Sequence, residues 1–168
     1  MISSCQRTMA LLMFSSALIL AVASCKKSNN NSSTNTTQLS ASVNGSAWAN
    51  SFPITAVYSV GASNFQLLGI QLKAGDSTGL GLVILAPITV NQAISSDSGY
   101  VDVEYVAQQQ VIYDGGHVAG HSVLTVTSYD PTGQKIAGTF SGVLYNVSGG
   151  SDSLLVTNGS FNTSFTSQ

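Results

Sequence analysis

Two acidic residues, Asp102 and Glu104, are separated by a single valine in the segment YVDVEYV. Apolar and aromatic residues alternate with them, and this period of two predicts a β-strand with both carboxylates on one face, about 7 Å apart. Paired carboxylates at such separations act as acid and base in glycoside hydrolysis. The same alternation is typical of a strand face in contact with water, which we expect here. A hydrolase that uses Asp102 and Glu104 is the weaker alternative.

The only two histidines, His117 and His121, lie in the glycine-rich segment DGGHVAGHS. On a helix, a spacing of four would place both imidazoles on one face as a zinc-binding pair, usually with a glutamate between them. Here glycines surround them and no glutamate intervenes, and on a strand they would lie about 13 Å apart. We therefore expect an exposed hairpin tip, no metal site and no cofactor.

Aromatic side chains are the remaining candidates for ligand contact. The single tryptophan, Trp48, follows the Asn44-Gly45 pair and is either a plug of the core, which we favour, or a platform for ligand stacking. Several tyrosines on polar alternations would suit a contact surface for a glycan or a protein, but tyrosine is also a good strand former. These are Tyr58, Tyr100, Tyr105 and Tyr113.

The N-terminal segment, residues 1–24, is typical of an export signal. It contains Arg7 and then a mostly apolar run that is shorter than the ~20 residues of a membrane span. The stretch Val22-Ala23-Ser24-Cys25 resembles the lipobox of bacterial lipoproteins. That resemblance implies cleavage before Cys25 and attachment of a diacylglycerol to its sulfur. Cys5 would leave with the signal peptide, so the mature domain would have no disulfide and no thiol nucleophile.

A polar tether follows, and residues 25–38 comprise the lipidated cysteine and this tether. It has no apolar side chain to bury, so we expect a flexible coil that spans about 20 Å. Lys26 and Lys27 stand where some Bacteroidota lipoproteins carry an acidic signal for surface export. The sequence therefore favours a cell-envelope protein, anchored by its lipid to the membrane and facing the periplasm from the outer membrane rather than displayed at the cell surface.

Charge argues against one class of partner. Only 7% of the residues are charged, against about 25% in ordinary soluble proteins. Within residues 38–168, two lysines stand against seven acidic residues, a net charge of −5 with neutral histidines. Phosphate binding needs clustered basic side chains. We therefore expect no nucleic-acid partner.

Residues 39–168 predict a single all-β domain. Hydrophobic residues alternate with period two, turn signals recur throughout, and no segment has helical period. The pairs Asn44-Gly45 and Asn158-Gly159 and the segment DPTG at 130–133 predict turns. The short connections favour an antiparallel meander of about ten strands, folded as a two-layer sandwich or a flattened barrel.

Two neighbouring strands flank the segment AGDS. With residues 74–77 as their loop, Leu72 would face Gly79 and Ile70 would face Gly81, so that large residues meet small ones. Glycines inside strands mark curvature or close packing, which we favour here. Alternatively, Gly79 and Gly81 leave space for an apolar ligand, as in a small barrel that acts as a carrier.

Two triplets, Asp76-Ser77-Thr78 and Asp152-Ser153-Leu154, resemble the O-glycosylation pattern of Bacteroidota. Both fall at predicted turns, where an acceptor must lie. Ser77 and Ser153 are therefore the candidate acceptors.

A family resemblance covers the two ends of the domain. The pieces ASVNGSAW, LTVTSYD, KIAGTFSGVLYN and VTNGSF are similar to those of an uncharacterised family of small all-β Bacteroidota lipoproteins. The resemblance implies a lipobox, a polar tether and a β-domain, and it implies no activity. The function predicted from sequence is thus a lipid-anchored envelope protein with a non-catalytic binding or structural domain and no enzymatic activity; a carrier of an apolar ligand is the alternative.

Overall fold

The computed structural model describes residues 38–73, 76–85, 87–116 and 120–168. The signal segment, Cys25, nearly all of the tether and His117 lie outside these ranges, so the predictions made for them stay predictions. Within the described residues there is no α-helix, and two 3-10 turns, Ser96–Ser98 and Gln108–Gln110, flank β7. The strands are β1 Gln38–Val43, β2 Ser46–Ala49, β3 Thr55–Ser59, β4 Asn64–Lys73, β5 Asp76–Leu85, β6 Ala93–Ser95, β7 Val101–Val106, β8 Ile112–Asp114, β9 His121–Asp130, β10 Lys135–Asn146, β11 Ser153–Ser164 and β12 Thr166–Ser167.

All of these strands belong to one mixed sheet. Its main path runs β12-β3-β4-β5-β7-β8-β10-β11-β1-β2, and β9 pairs with β10 and β6 beside that path. Strand pairs are antiparallel except that β12 runs parallel to β3. The all-β prediction is confirmed, with twelve strands described in place of about ten. The pairing of β1 with β11, distant in sequence, was not predicted.

The sheet curls until β2 lies against β4. The contact uses single hydrogen bonds instead of a continuous ladder: Ser51 N donates to Ile70 O at 2.8 Å, and Gln71 Nε2 donates to Ala49 O at 3.1 Å. This curling gives the sheet one inner face, which is apolar, and one outer face.

Side chains fill the space inside the curled sheet. Leu67 on β4, Leu80 and Leu82 on β5 and Val103 on β7 are fully buried because alternate residues of these strands point inward. Phe65 centres an aromatic group there, stacked on Tyr58 at 4.5 Å and edge-on to Tyr129 at 5.6 Å and Phe165 at 4.9 Å between ring centroids. Burial of these apolar surfaces, at about 25 cal/mol per Å², is the main force that stabilises the fold.

Two of the three predicted turns are present. Asn44 and Gly45 have φ of 48° and 78° and join β1 to β2, as expected of a two-residue hairpin that needs positive φ at both positions. The turn between β9 and β10 is held by Asp130, whose Oδ1 accepts a hydrogen bond from Gly133 N at 2.8 Å.

Asn158 and Gly159 do not form the predicted turn. They lie inside β11, where the register with both neighbouring strands shifts and Asn158 has φ of 52°. A Cβ at Gly159 would lie 2.5 Å from Phe140 O. Asn158-Gly159 therefore forms a β-bulge. The left-handed backbone of Asn158 accommodates an extra residue in β11 and does not reverse the chain.

The predicted register of β4 and β5 is wrong by two residues. Leu72 faces Ser77 and Ile70 faces Gly79, and the ladder continues to Lys73 and Asp76. The connection is thus two residues long instead of four. Because the register differs by an even number of residues, the side chains of β4 and β5 still point to the predicted faces of the sheet.

Candidate functional site: a carboxyl cluster and an open groove

The segment from Gly99 to Tyr113 turns back on itself and forms a hairpin. Its polar run AQQQV contains the 3-10 turn, with Gln110 at φ 62°, and it separates β7 from β8. The resulting register places Asp114 directly opposite Glu104. A third carboxylate therefore joins the two that the sequence singled out.

Asp102, Glu104 and Asp114 share the outer face of the sheet. Across the strands, Gly81 on β5 faces Glu104, and Tyr145 on β10 faces Asp114. The prediction of a face in contact with water is wrong for Glu104, since that residue is only 9% exposed, and Asp114 is 8% exposed. Three acidic groups are thus withdrawn from water at one place.

Gly116 makes room for the Asp102 carboxyl group. Gly115 N donates to Val103 O at 2.9 Å, so the chain beyond β8 stays beside β7 and brings Gly116 next to Asp102. A Cβ at Gly116 would lie 3.0 Å from Cγ and from both oxygens of Asp102. The same glycine donates its N–H to Asp114 Oδ1 at 2.5 Å. Gly116 thus positions two of the three carboxyl groups.

The cluster favours protonated carboxyl groups. Burial, followed by the charge of Asp114 and a hydrogen bond with its side chain, raises the pKa of Asp102 to about 8; the charge of Glu104 adds to this and the Gly116 backbone opposes it. Burial and the Asp114 charge raise the pKa of Glu104 to about 7. A hydrogen bond between two carboxyl groups needs one proton. Burial and the Asp114 charge favour the protonated form of Asp102, whose buried Oδ1 has no hydrogen-bond partner.

The pair formed by Asp102 and Asp114 differs from the catalytic pair of a glycoside hydrolase. Asp102 and Asp114 are in hydrogen-bond contact, whereas the catalytic carboxyl groups of those enzymes stand at least about 5 Å apart with the substrate between them. The chemistry that the cluster offers is a shared proton with a pKa near neutrality. Sequence reasoning noted Asp114 only as a neighbour of His117 and His121, and did not place it beside Glu104 because a glutamine run is not a recognised turn signal.

The described histidine, His121, lies at the surface. Its Nδ1 is 3.1 Å from Asp97 Oδ2, and the two side chains are 54% and 70% exposed. Asp97 also accepts a hydrogen bond from Ser95 Oγ at 3.0 Å. Among the described residues, no three His, Cys, Asp or Glu side chains are placed to hold a metal ion.

Trp48 is a core residue, 3% exposed. Its Nε1 donates to Thr78 Oγ1 at 2.8 Å, so the indole links β2 to β5. This burial agrees with the core interpretation of Trp48.

The four candidate tyrosines do not form one surface. Tyr58 stacks on Phe65. Tyr113 is buried and donates its hydroxyl hydrogen to Asp152 Oδ2 at 2.5 Å, a bond that raises the pKa of Tyr113. Tyr105 lies opposite it on β7 and packs against the core, while Tyr100 is 44% exposed. Ligand contact through Tyr58, Tyr105 and Tyr113 would need them to leave these packed positions.

An open groove of about 550 Å³ lies over the β1-β2 hairpin. It extends from Gln71 on β4 to Asn158 on β11, and apart from Trp48 its lining residues are small or polar; none is charged. Its lining comprises Ser40, Ala41, Ser42, Gly45, Ala47, Trp48, Ala49, Gln71 and Asn158.

Neighbouring side chains lie at ordinary contact distance from the position of a Cβ at Gly79. A Cβ built there would be 3.6 Å from Val106 Cβ and 3.9 Å from Leu68 Cδ1. Gly79 and Gly81 are both buried on the outer face of β5. Burial of both glycines is consistent with the packing interpretation, and the carrier alternative stays a prediction.

The two candidate glycosylation acceptors lie at the ends of strands. Ser77 is exposed on β5, and Ser153 is exposed at the start of β11. The neighbouring Asp152 is bound by Tyr113 and by Asn146 Nδ2, the latter at 2.8 Å. Glycosylation at these serines stays a prediction.

Comparison with known proteins finds no matching family model, no matching curated protein and no matching solved structure. Within the described ranges, no helix has the length and apolar character needed to cross a membrane. Function must therefore be argued from the residues of this chain.

Proposed function

We propose that this chain is a bacterial lipoprotein of the cell envelope, anchored through Cys25 and facing the periplasm, whose β-domain binds a ligand and catalyses no reaction. The lipobox resemblance and the polar tether support the anchor. The groove over the β1-β2 hairpin supports the binding role because it is open to solvent. The carboxyl groups of Asp102 and Asp114, in contrast, are hydrogen-bonded to each other.

The chemistry of the groove suits an uncharged glycan. Hydroxyl groups of Ser40 and Ser42 and amides of Gln71 and Asn158 can bind sugar hydroxyls, while the methyl groups of Ala47 and Ala49 can contact the apolar face of a sugar ring. Ligand sites combine apolar contact with a few polar groups in this way. The absence of charge from this lining makes a strongly acidic or basic ligand a poorer match, and an envelope protein is the other partner that we consider.

Binding is tested by nuclear magnetic resonance with a panel of neutral oligosaccharides, using the mature chain from Cys25. We expect amide shifts at Ser42, Ala47 and Ala49. Ala47→Trp should fill the groove and abolish them, and Ser128→Trp, at an exposed position of β9, should not. Shifts that persist in Ala47→Trp, or none with any oligosaccharide, would contradict a glycan role.

Anchoring is tested separately in cells. Metabolic labelling with an alkyne-bearing fatty acid should mark the wild-type chain, and Cys25→Ser should lose the label and leave the membrane fraction. An unlabelled wild-type chain would remove the lipoprotein part of the proposal without affecting the groove.

A second candidate function, acid-base catalysis, is favoured by one observation. Asp102, with its pKa raised to about 8, would be a general acid at neutral pH. A substrate would have to displace Asp114 from it. Hydrolysis of a glycoside by the wild-type chain but not by Asp102→Asn would favour this candidate over the binding role.

A further inference from the structure

The tether joins the domain at Gln38, beside the end of β2. Leu39 N donates to Asn50 Oδ1 at 2.8 Å, and Asn50 N donates to Leu39 O at 3.1 Å. These two bonds hold the residues after β2 next to the first residues of β1. Side chains around residues 50–52 are therefore close to the point at which the tether ends and the domain begins.

Apolar side chains are exposed at this same place. Ser51 N donates to Ile70 O at 2.8 Å, and Ser51 Oγ accepts from Leu72 N at 3.0 Å, so β4 lies directly beside Ser51. Phe52, the next residue, is 48% exposed and Leu72 is 51% exposed, while Ile70 is half-buried. We name Phe52, Ile70 and Leu72 the tether-side patch.

We propose that the tether-side patch docks on the lipid bilayer in which Cys25 is anchored, an inference that rests on the lipid anchoring proposed above. The sequence predicts a flexible coil for residues 26–37, which would span about 20 Å. It therefore holds the patch near the head groups at a high effective concentration, so even a weak affinity suffices for contact. Phenylalanine and leucine side chains are typical of protein surfaces that lie in the boundary between head groups and acyl chains. The patch itself contains no charged residue to oppose this contact.

A second apolar pair provides a matched comparison. Leu155 on β11 is also 51% exposed and faces Val143, 36% exposed, on β10. This pair is separated from the tether-side patch by β1 and β2, and Leu155 N binds Asn44 at the opposite end of β1 from Gln38. Equal exposure at a different place makes Leu155 the control for position.

Docking would fix the orientation of the groove. Gln71, at one end of the groove, is the neighbour of Leu72, and Asn158 forms the other end. The domain would therefore hold the groove at the margin of the bilayer with its Asn158 end turned away from the lipid.

The test uses tryptophan fluorescence on vesicles. The Cys25 thiol of the purified mature chain is coupled to maleimide-bearing lipid in phosphatidylethanolamine and phosphatidylglycerol vesicles that contain brominated lipids. We expect these lipids to quench Leu72→Trp about twofold or more above Leu155→Trp. The wild-type chain supplies the background of buried Trp48, and Phe52→Trp serves as a second probe should Leu72→Trp fail to fold.

Equal quenching of the probes at positions 72 and 155 would overturn the proposal. Energy transfer between labelled copies, combined with no quenching of Leu72→Trp by the brominated lipids, would also overturn it. That result would indicate that the patch binds a second copy of the chain. Because chemical coupling supplies the anchor, either result counts against the patch alone. Failure of native lipidation would appear only in the labelling experiment on Cys25.

Discussion

Asp102 and Asp114 share a hydrogen bond between their carboxyl groups across the β7-β8 hairpin. The bond exists because β8 reverses direction after a short polar run and because Gly116 has no side chain where the Asp102 carboxyl group lies. Two like charges withdrawn from water at this distance repel strongly unless one group is protonated. The stability of this hairpin therefore depends on a proton.

We expect the protein to lose stability as the pH rises from 5 to 9. The pKa of Asp102 is raised in the folded state to about 8, so its contribution is fully present below the unfolded-state pKa and is lost as the pH rises through 8. Glu104, with its pKa raised to about 7, acts in the same direction. The free energy of unfolding, measured by urea denaturation, should fall by about 2 kcal/mol or more across this range.

Asp102→Asn is the decisive variant for this pH dependence. The amide can donate to Asp114 without a proton that titrates, so unfolding should depend less on pH and the variant should be more stable than the wild type at pH 9. Ser128→Ala, at an exposed position of β9 without a titrating side chain, should leave the pH dependence unchanged. An unaltered pH profile in Asp102→Asn would show that another group carries it.

The two other carboxylates should differ in their effect on Asp102. Asp114 raises the pKa of Asp102 through both its charge and its hydrogen bond, and Glu104 acts through its charge alone. Asp114→Asn should therefore lower the pKa of Asp102 more than Glu104→Gln does. Carbon NMR titration of the Asp102 carboxyl group measures both shifts, and a larger shift in Glu104→Gln would contradict the arrangement described here.

Much of the fold follows from local patterns in the sequence. Period-two alternation predicts the strands, and Asn44-Gly45 predicts the first hairpin, because both depend on residues close in sequence. The pairing of β1 with β11 depends on packing across the whole domain, which no local pattern encodes. The two Asn-Gly pairs show the limit of local prediction: Asn44 has positive φ in a turn, and Asn158 has positive φ in a bulge.

The candidate site was predictable only in part. Alternation correctly places Asp102 and Glu104 on one face, but it cannot show that this face is withdrawn from water. That withdrawal depends on Asp114 and Gly116, which the hairpin brings beside them. The groove likewise arises where β1 and β2 meet β4 and β11, and none of these contacts is local in sequence.

Ser96 should prove more important for stability than its size suggests. Its buried hydroxyl donates to Gly115 O at 2.9 Å and accepts from Ser122 N at 2.9 Å, so it links two strands where the chain between β8 and β9 leaves the ladder. Ser96→Ala would leave both backbone groups without this partner, at a cost of about 2 to 3 kcal/mol. Urea denaturation and faster hydrogen exchange at the Ser122 amide measure the loss. Ser141→Ala, at an exposed position, should change neither.

Substitution by alanine should change the stability of the protein very differently at two glycines. A Cβ at Gly138 would overlap Thr125 O and lie 2.5 Å from Phe161 Cζ, whereas nothing lies within 4 Å of one at Gly61. Gly138→Ala must therefore move the backbone of β9 or the Phe161 ring and should lose about 3 kcal/mol of stability or more. Gly61→Ala should stay within about 0.5 kcal/mol of the wild type or be slightly more stable, because alanine restricts the unfolded chain. Thermal unfolding of both variants checks the pair, and similar melting temperatures would contradict the close approach of β9, β10 and β11 at Gly138.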